Sequence, residues 1–367
     1  MAGPPMRAAM RRLALDQIRY LTPARSDSAD PLVGRVYRQV EREFGVLAPP
    51  VALHSPAPEA MAAGWLILRE TLLAPGLVGR PVKEAVACGV SLANACPYCV
   101  TVHGATLRGL AGGRAAALIG ADRIDELRDP AVRAAAAWAR GIGRVAGRAM
   151  ESGTDAPFPL EEAPEYVGVA ATFHYINRMV NTFLEDAPMP PSAPRRGLPV
   201  VERVLSAMIR AARRRIGPAG AALDLLPAAD PDPDLVWSAG NPSVEQAFAR
   251  AAAALERAGR RSVPEPVREL VFAELAAWDG RPKGLSRSWI EQPLAALGPV
   301  DRPAGRLALL VALASYQIDG SVVEDFRRVQ PDDAQLVETA AWAALTAARR
   351  AVGALPWAKP VGSVAAD

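Results

Sequence analysis

The chain has 367 residues, of which half are apolar, so it is longer than one typical domain and we predict two. Its formal net charge of +3 is too small to indicate a nucleic-acid partner, and no apolar run approaches the roughly 18 residues needed to span a bilayer. Three cysteines, an odd number, argue against a secreted disulfide scaffold, and the N-terminus is too polar for a signal peptide. We therefore expect a soluble cytoplasmic protein.

The N-terminal part of the chain shows helical periodicity. Residues 1–13 form a basic start that we expect to be frayed. Apolar side chains recur at helical spacing over 30–45, where Gly45 can end the helix, and again over 58–73. The proline-rich turn between these two helices carries His54, which we expect to be a structural residue bonded to nearby backbone.

The stretch 84–103 holds all three cysteines, one of the three histidines and a carboxylate. Its first part, 82–94, predicts a helix, and Pro97 predicts the start of the next one because proline favours the first helical position. This spacing places Cys96 at the helix cap and Cys99 in the first turn. Unpaired N–H groups and the helix dipole at that point are expected to favour the thiolate form.

Four residues with complementary chemistry fall close together on these two helices. Cys99 and His103 are four residues apart and would share one helix face, where an imidazole can take the thiol proton. Glu84 is the local carboxylate that could hold the imidazole or relay its proton. Cys96 could close a disulfide on an oxidised Cys99. The stretch therefore contains a candidate nucleophile, base, relay and second thiol.

The spacing resembles the signature of AhpD-like alkylhydroperoxidases, within the carboxymuconolactone decarboxylase superfamily. The signature positions are, in order and at the family's spacing, Glu84, Cys96, Tyr98 (where histidine or tyrosine is allowed), Cys99 and His103. The resemblance implies an all-helical fold and thiol-based reduction of hydroperoxides, with no metal, haem, flavin or nucleotide cofactor. It also implies that Cys99 attacks the peroxide and that Cys96 resolves the product and meets the reductant. His103 with Glu84 would relay protons.

The same residues leave other interpretations open. A thioredoxin-like site would need a preceding strand, and 58–95 shows no strand pattern. A zinc site could use the three cysteines with His103, which is the right ligand count, but the spacing is unfamiliar and Cys88 suits an ordinary buried helix position. An inert disulfide would need an oxidising compartment. The alternatives to a peroxidase are a general thiol-disulfide oxidoreductase or redox sensor, and a non-enzymatic, possibly zinc-stabilised, helical scaffold.

Two more helices and a linker follow in the first half. Residues 129–141 predict a helix with Asp129 as N-cap, and 161–184 predict a long helix with an apolar stripe. In the resembling family a helix of this kind packs over the thiol site, yet we expect His174, which lies on it, to be structural. Residues 186–199 hold five prolines among small and polar residues, a composition typical of a linker.

The second half of the chain resembles a diverged repeat of the first. Pairs that match at an offset of 185 residues are Pro81 with Pro266, Val82 with Val267, Glu84 with Glu269 and Pro97 with Pro282. At the same offset Cys99 falls on Gly284 and His103 falls on Ser288. The fold pattern therefore persists in the second half, whereas the chemistry of the motif does not.

These observations predict an all-α protein of two tandem AhpD-like domains. Residues 1–185 would form the domain with the redox site, 186–199 the linker, and 200–367 a degenerate domain that shapes one wall of the site. Helices of the second domain are expected at 200–216, 243–258, 267–278, 301–318 and 331–355. We expect a homo-oligomer. Its partners would be a hydroperoxide and an external dithiol of the lipoyl or thioredoxin type, with no nucleic acid and no membrane.

Overall fold

The computed structural model describes residues 4–25, 30–111, 113–145, 156–188, 200, 203, 207, 211–353 and 355. The helices within these ranges are α1 (Pro4–Leu15), α2 (Pro31–Phe44), α3 (Pro49–Ala52), α4 (Pro58–Leu68), α5 (Arg80–Ala93), α6 (Pro97–Ala111), α7 (Gly113–Gly120), α8 (Pro130–Val145), α9 (Ala163–Phe183), α10 (Pro242–Ser262), α11 (Glu265–Ala277), α12 (Glu291–Leu294), α13 (Arg302–Ala314), α14 (Gly320–Arg327) and α15 (Asp333–Gly353). The described residues form no strand, apart from an isolated bridge between Ile18 and Leu184. The predicted all-α class is confirmed. None of the described helices is both long and apolar enough to cross a membrane.

Residues 4–13 are helical where the sequence predicted a frayed start over 1–13, of which 1–3 lie outside the described residues. Arg11 of α1 forms an ion pair with Glu41 of α2, and Ala14 is buried against the core of the first half. The prediction for this segment was therefore wrong, because α1 covers apolar surface of the first half. The next helix, α2, begins and ends as predicted. The Asp30 side chain accepts its first N–H groups, and Gly45 ends it with φ of 86°.

The helix α4 continues as a π-helical turn (Arg69–Leu73), so the predicted helix over 58–73 is confirmed in extent. Its hydrogen-bond pattern changes from α to π at Arg69. Arg69 in this turn is fully buried and pairs with Glu43 and Glu70. Its Nη2 atom also donates to the carbonyl oxygen of Gly217, at 2.7 Å. The turn thus connects the first half to the segment that follows the predicted linker.

The helix α5 carries the first part of the motif and lies in the centre of the first half. It packs against α6, α8 and α9. Gly89 allows α8 to approach closely, because a side chain there would collide with the carbonyl oxygen of Ala136. As predicted, Asp129 caps α8 by accepting the N–H groups of Ala131 and Val132. This packing fixes the position from which α5 presents its side chains to α6.

Corresponding helices of the two halves pack against each other. The helix α4 lies along α10, and the long helix α9 lies along α15. An internal two-fold axis places corresponding helices of the two halves against each other in this way. In addition, Ala95 and Gly280, which align at the offset of 185 residues, both have positive φ, 49° and 79°. These features agree with a duplicated fold, and the domain boundaries remain a prediction.

The second half follows its predicted helices with small shifts. The helices α10, α11, α13 and α15 lie within a few residues of their expected ranges, whereas α14, which Asp319 caps, was not predicted. The predicted loop 217–242 contains two short 3-10 segments, Leu223–Leu225 and Pro233–Ser238. Residues 189–199 of the predicted linker lie outside the described residues, as do eight of the 17 positions of the predicted helix 200–216.

Candidate active site

The turn between α5 and α6 positions the two cysteines of the motif. Ala95 adopts φ of 49°, in the left-handed region, and the N–H of Cys96 donates to the carbonyl oxygen of Ser91 at 2.9 Å. Pro97 then begins α6, and the carbonyl oxygen of Cys96 accepts an N–H from the first turn. The predicted positions, Cys96 at the cap and Cys99 in the first turn, are confirmed.

All three cysteines are buried free thiols. Cys96 and Cys99 each expose 1% of their surface and are not bonded to each other, so this is the dithiol form of the pair. Cys88 lies on the core side of α5. Burial, with the nearby charge of Glu84 as a smaller cause, raises the pKa of its thiol well above the usual value. The surroundings of Cys88 therefore disfavour a thiolate.

Burial also dominates the protonation of Cys99. It raises the pKa of the Cys99 thiol well above its usual value, and the hydrogen bond with Cys96 acts in the same direction. A hydrogen bond from the side chain of Asn177, on α9, lowers this pKa without offsetting burial. The expectation that the helix start keeps Cys99 as a thiolate is thus wrong for the dithiol form, because desolvation outweighs the helix terminus. The thiol needs a base.

Glu84 holds the imidazole of His103. The fully buried carboxylate lies with Oε2 at 2.7 Å from Nδ1 of His103, and its Oε1 accepts from Nε of Arg80 at 2.6 Å. Burial alone would raise the pKa of Glu84, but Arg80 and His103 together lower it, so the carboxylate is ionised and accepts only. Nδ1 of the ring therefore donates to the carboxylate, and Nε2 is the ring atom left to accept a proton.

The two cysteines of the motif border different cavities. Cys99 and His103 line a mostly apolar cavity of about 350 Å³, whereas Cys96 lines a second cavity of about 500 Å³. Other residues around the first cavity include Ala14, Leu47, Arg80, Tyr98, Phe173 and Ile176. In the part of the chain that the structure describes, no hydrogen bond joins Cys99 to His103. A molecule in their shared cavity would complete the proton path between them.

The chain is similar to a known protein over nearly its whole length. No model of a protein family matches it. An alkyl hydroperoxide reductase of Mycobacterium tuberculosis (strain ATCC 25618 / H37Rv) is 36% identical over 336 residues, which cover 91% of this chain and 93% of the relative. The chain belongs to the AhpD-like alkyl hydroperoxide reductase family. The predicted resemblance, and with it an enzyme of the oxidoreductase class, is confirmed, and the similarity includes both halves of the chain.

Two residues of this AhpD-like site were missed by sequence reasoning. Arg80 lies four residues before Glu84, a spacing at which opposite charges meet on one helix face. That signal was available, but the helix was predicted to begin at 82, after Arg80. Asn177 lies within the long predicted helix 161–184. No local pattern connects it to Cys99, since the two residues belong to distant parts of the chain.

The other two histidines lie apart from the thiol pair of this AhpD-like chain. His54 is fully buried, with Nδ1 at 3.3 Å from the carbonyl oxygen of Val51 and Nε2 at 2.7 Å from the hydroxyl of Tyr175. Burial lowers its pKa to about 4, so the ring is neutral. The predicted structural histidine, bonded to nearby backbone, is confirmed. His174 faces Asn94, whose Nδ2 lies 3.2 Å from its Nδ1.

The zinc alternative gains no support from the side chains. Among the described residues, no three histidine, cysteine, aspartate or glutamate side chains are grouped as metal ligands. The Nδ1 atom of His103 is occupied by Glu84. The hydrogen bonds and burial of these residues instead suit a thiol and a base.

Proposed function

We propose that this chain is a thiol-dependent peroxidase that reduces alkyl hydroperoxides. The observation that carries the proposal is the cavity shared by Cys99 and His103, where Glu84 holds the ring in the tautomer that can accept a proton. The relative from Mycobacterium tuberculosis, named an alkyl hydroperoxide reductase, supports the same substrate class. Cys99 is the nucleophile, Cys96 is the resolving thiol, and His103 with Glu84 forms the proton relay.

The first step removes the thiol proton and breaks the peroxide bond. Nε2 of His103 takes the proton of Cys99, directly or through a molecule in the cavity, and Glu84 stabilises the resulting imidazolium. The thiolate, to which Asn177 donates a hydrogen bond, attacks the terminal oxygen of ROOH. An S–O bond forms as the O–O bond breaks. The ring returns its proton to the leaving alkoxide, so the products are a sulfenic acid and an alcohol.

Cys96 completes the redox cycle. Its thiol is within hydrogen-bonding reach of Cys99 and attacks the sulfenic sulfur, so that an S–S bond forms and water leaves. An external dithiol, of the lipoyl or thioredoxin type, then supplies two electrons and two protons to restore both thiols. The Cys96 cavity shares no lining residue with the Cys99 cavity. The reductant can therefore approach Cys96 without entering the substrate cavity.

The character of the Cys99 cavity favours organic hydroperoxides over hydrogen peroxide. Its volume of about 350 Å³ can hold the organic group of a small hydroperoxide, and apolar side chains form most of its walls. Burying an apolar group contributes about 25 cal/mol for each Å² removed from water. Hydrogen peroxide has no such group to bury, so it gains nothing from these walls.

A stopped-flow experiment tests the proposal. Cys96→Ala protein mixed with stoichiometric cumene hydroperoxide should form sulfenic acid on Cys99, which dimedone labelling and mass spectrometry would locate. Cys88 in the same sample is the internal control and should remain unlabelled. Turnover retained in Cys99→Ser protein would overturn the assignment of the nucleophile. Rapid exchange with protein disulfides but no sulfenic acid would favour the general thiol-disulfide oxidoreductase.

We also propose that the second half acts as a packing partner for the first. Arg178 of α9 donates to the carbonyl oxygen of Ala312, and Asn181 donates to the hydroxyl of Ser315. These bonds support the helix that also carries Asn177.

Light scattering of the purified chain would test the further prediction of a homo-oligomer, since a monomeric mass would contradict it.

A further inference from the structure

A small cavity, lined in part by charged and polar side chains, lies between the two halves, away from the two thiols of the motif. Its volume is about 50 Å³. The residues that matter for its chemistry are Asn94, Arg140, His174 and Arg178 from the first half, with Gly280 and Tyr316 from the second. None of the four residues assigned to peroxide chemistry lines it. A cavity of this size has room for a few water molecules or a small ligand.

His174 presents a buried donor that has no acceptor. The residue is 1% exposed, and its Nδ1 faces two donors, Nδ2 of Asn94 at 3.2 Å and Nη1 of Arg178 at 3.4 Å. Nδ1 must therefore be the accepting nitrogen, and the proton of the neutral ring lies on Nε2. Nε2 is buried and has no hydrogen-bond partner in the described part of the chain. A buried donor left without an acceptor destabilises the fold, so a ligand that accepts from it would be favoured at this position.

Arg178 adds a buried positive charge to the same cavity. The residue is 5% exposed, and its Nε and Nη1 donate to the carbonyl oxygens of Ala312 and His174, at 3.0 and 2.7 Å. Burial lowers its pKa to about 10, which still leaves it protonated at neutral pH. No carboxylate pairs with it, and its Nη2 makes no hydrogen bond, within the ranges that the structure describes. Buried charges are normally paired, so this one lacks a counterion.

The contrast with Arg69 shows what is unusual about Arg178. Arg69 is also buried, yet its guanidinium is paired with both Glu43 and Glu70. Arg140 also reaches the cavity, but its charge is paired with Asp122. The protein thus supplies acidic partners to these two arginines. At Arg178 the cavity occupies the position where an acidic side chain would otherwise lie.

We propose that this cavity binds a small carboxylate. The planar guanidinium of Arg178 matches the geometry of a carboxylate, and Nε2–H of His174 supplies a further donor. One unpaired cation and one neutral donor balance a single negative charge, which suits a carboxylate better than a phosphate dianion. The small volume restricts the ligand to a formate- or acetate-sized group. The bound carboxylate would accept from Nε2 of His174, which is the buried donor without a partner, and would pair with the charge of Arg178.

Asn94 connects this site to the thiol turn. Its Nδ2 donates to His174 and also to Oδ1 of Asn177, at 3.0 Å, and Asn177 is the residue that contacts Cys99. A ligand on Nε2 of His174 would therefore fix the ring to which Asn94, two residues before Cys96, donates. The binding site stands without the peroxidase proposal, because it rests on its own donors and charge.

Calorimetric titration of the full chain with sodium formate and sodium acetate tests the proposal. The ionic strength would be held with the sodium salt of HEPES, which is too large for the cavity. We expect saturable binding of one ligand per chain, weakened at least tenfold in Arg178→Met and in His174→Phe. His54→Phe is the matched control, since His54 is as buried as His174 but lies outside this cavity, and its binding should equal that of the unaltered chain.

Two measurements keep the test decisive if a variant folds poorly. His174→Gln retains a side-chain N–H donor and should keep binding within a few-fold, while circular dichroism reports the fold of each variant. Absence of saturable heat in the unaltered chain at about 100 mM ligand, well above the Kd of a millimolar site, would overturn the proposal. So would binding that neither substitution weakens, or binding of chloride but of neither carboxylate.

Discussion

The carboxylate of Glu84 lies 2.7 Å from Nδ1 of His103, and Arg80 holds the same carboxylate through its other oxygen. The tautomer of the ring is thus set by a buried ion pair on α5. His103 and Cys99 line the same cavity, and burial raises the pKa of the Cys99 thiol. The strength of the base therefore depends on residues that do not touch the peroxide.

Replacing Glu84 by glutamine should slow peroxide reduction less than removing the ring. The amide cannot stabilise the imidazolium, so we expect kcat/KM to fall by roughly 10- to 100-fold and the pH profile to shift. His103→Ala should cost roughly 10²- to 10⁴-fold, the range for loss of a general acid or base. Steady-state turnover of cumene hydroperoxide between pH 5 and 9 measures both. An unchanged pH profile in Glu84→Gln would show that the carboxylate does not act through the ring.

Replacing Arg80 by methionine should destabilise the fold in a pH-dependent way. Breaking a largely buried ion pair leaves Glu84 without its cation, which corresponds to roughly 3 kcal/mol. The pKa of Glu84 is lowered in the folded state, so its stabilising contribution is complete above the unfolded pKa and is lost as pH falls through the folded pKa. The difference between the two proteins should therefore be largest near pH 7 and shrink below about pH 4.5.

Urea unfolding at several pH values measures this difference. Arg123→Met is the matched control, because the pair of Arg123 with Glu126 is exposed and should contribute less than about 1 kcal/mol. An Arg80→Met effect that is equal at pH 7 and at pH 4 would contradict the role of the ionised carboxylate.

Replacing Asn177 by leucine should make the thiolate of Cys99 harder to form. The hydrogen bond from this side chain lowers the pKa of Cys99, so its loss should move the midpoint of alkylation to higher pH. Iodoacetamide alkylation in the Cys96→Ala background, followed by mass spectrometry, reports this midpoint. Asn181→Leu is the control, because Asn181 lies on the same helix but donates to Asn94 and Ser315. Equal shifts in both variants would mean that helix packing is the cause.

Much of the local architecture could be predicted because its determinants are close in sequence. Asp30 and Gly45 define the ends of one helix, and Pro97 defines the start of another. The family signature was sufficient to place Glu84 and His103 in one site. Neither conclusion required knowledge of the tertiary structure.

The protonation of Cys99 could not be predicted in the same way. A helix start favours the thiolate, but burial by helices from distant parts of the chain reverses the balance, and no local pattern reports how completely a thiol is buried. The contact with Asn177 likewise depends on the packing of α9 against α5. The structured N-terminus was missed for the same reason, since α1 is held by tertiary contacts such as that of Arg11 with Glu41.

Filling the Cys99 cavity should discriminate between large and small peroxides. Ala14 of α1 lines this cavity, and Ala14→Phe would occupy part of the space for the organic group. Losing about 50 Å² of buried apolar contact corresponds to roughly 1.3 kcal/mol, so KM for cumene hydroperoxide should rise about tenfold. Turnover of hydrogen peroxide should change little, since it needs no such contact. Ala8→Phe, on the exposed side of the same helix, should leave both substrates unaffected. Equal losses with both substrates in Ala14→Phe would show that this cavity does not select the organic group.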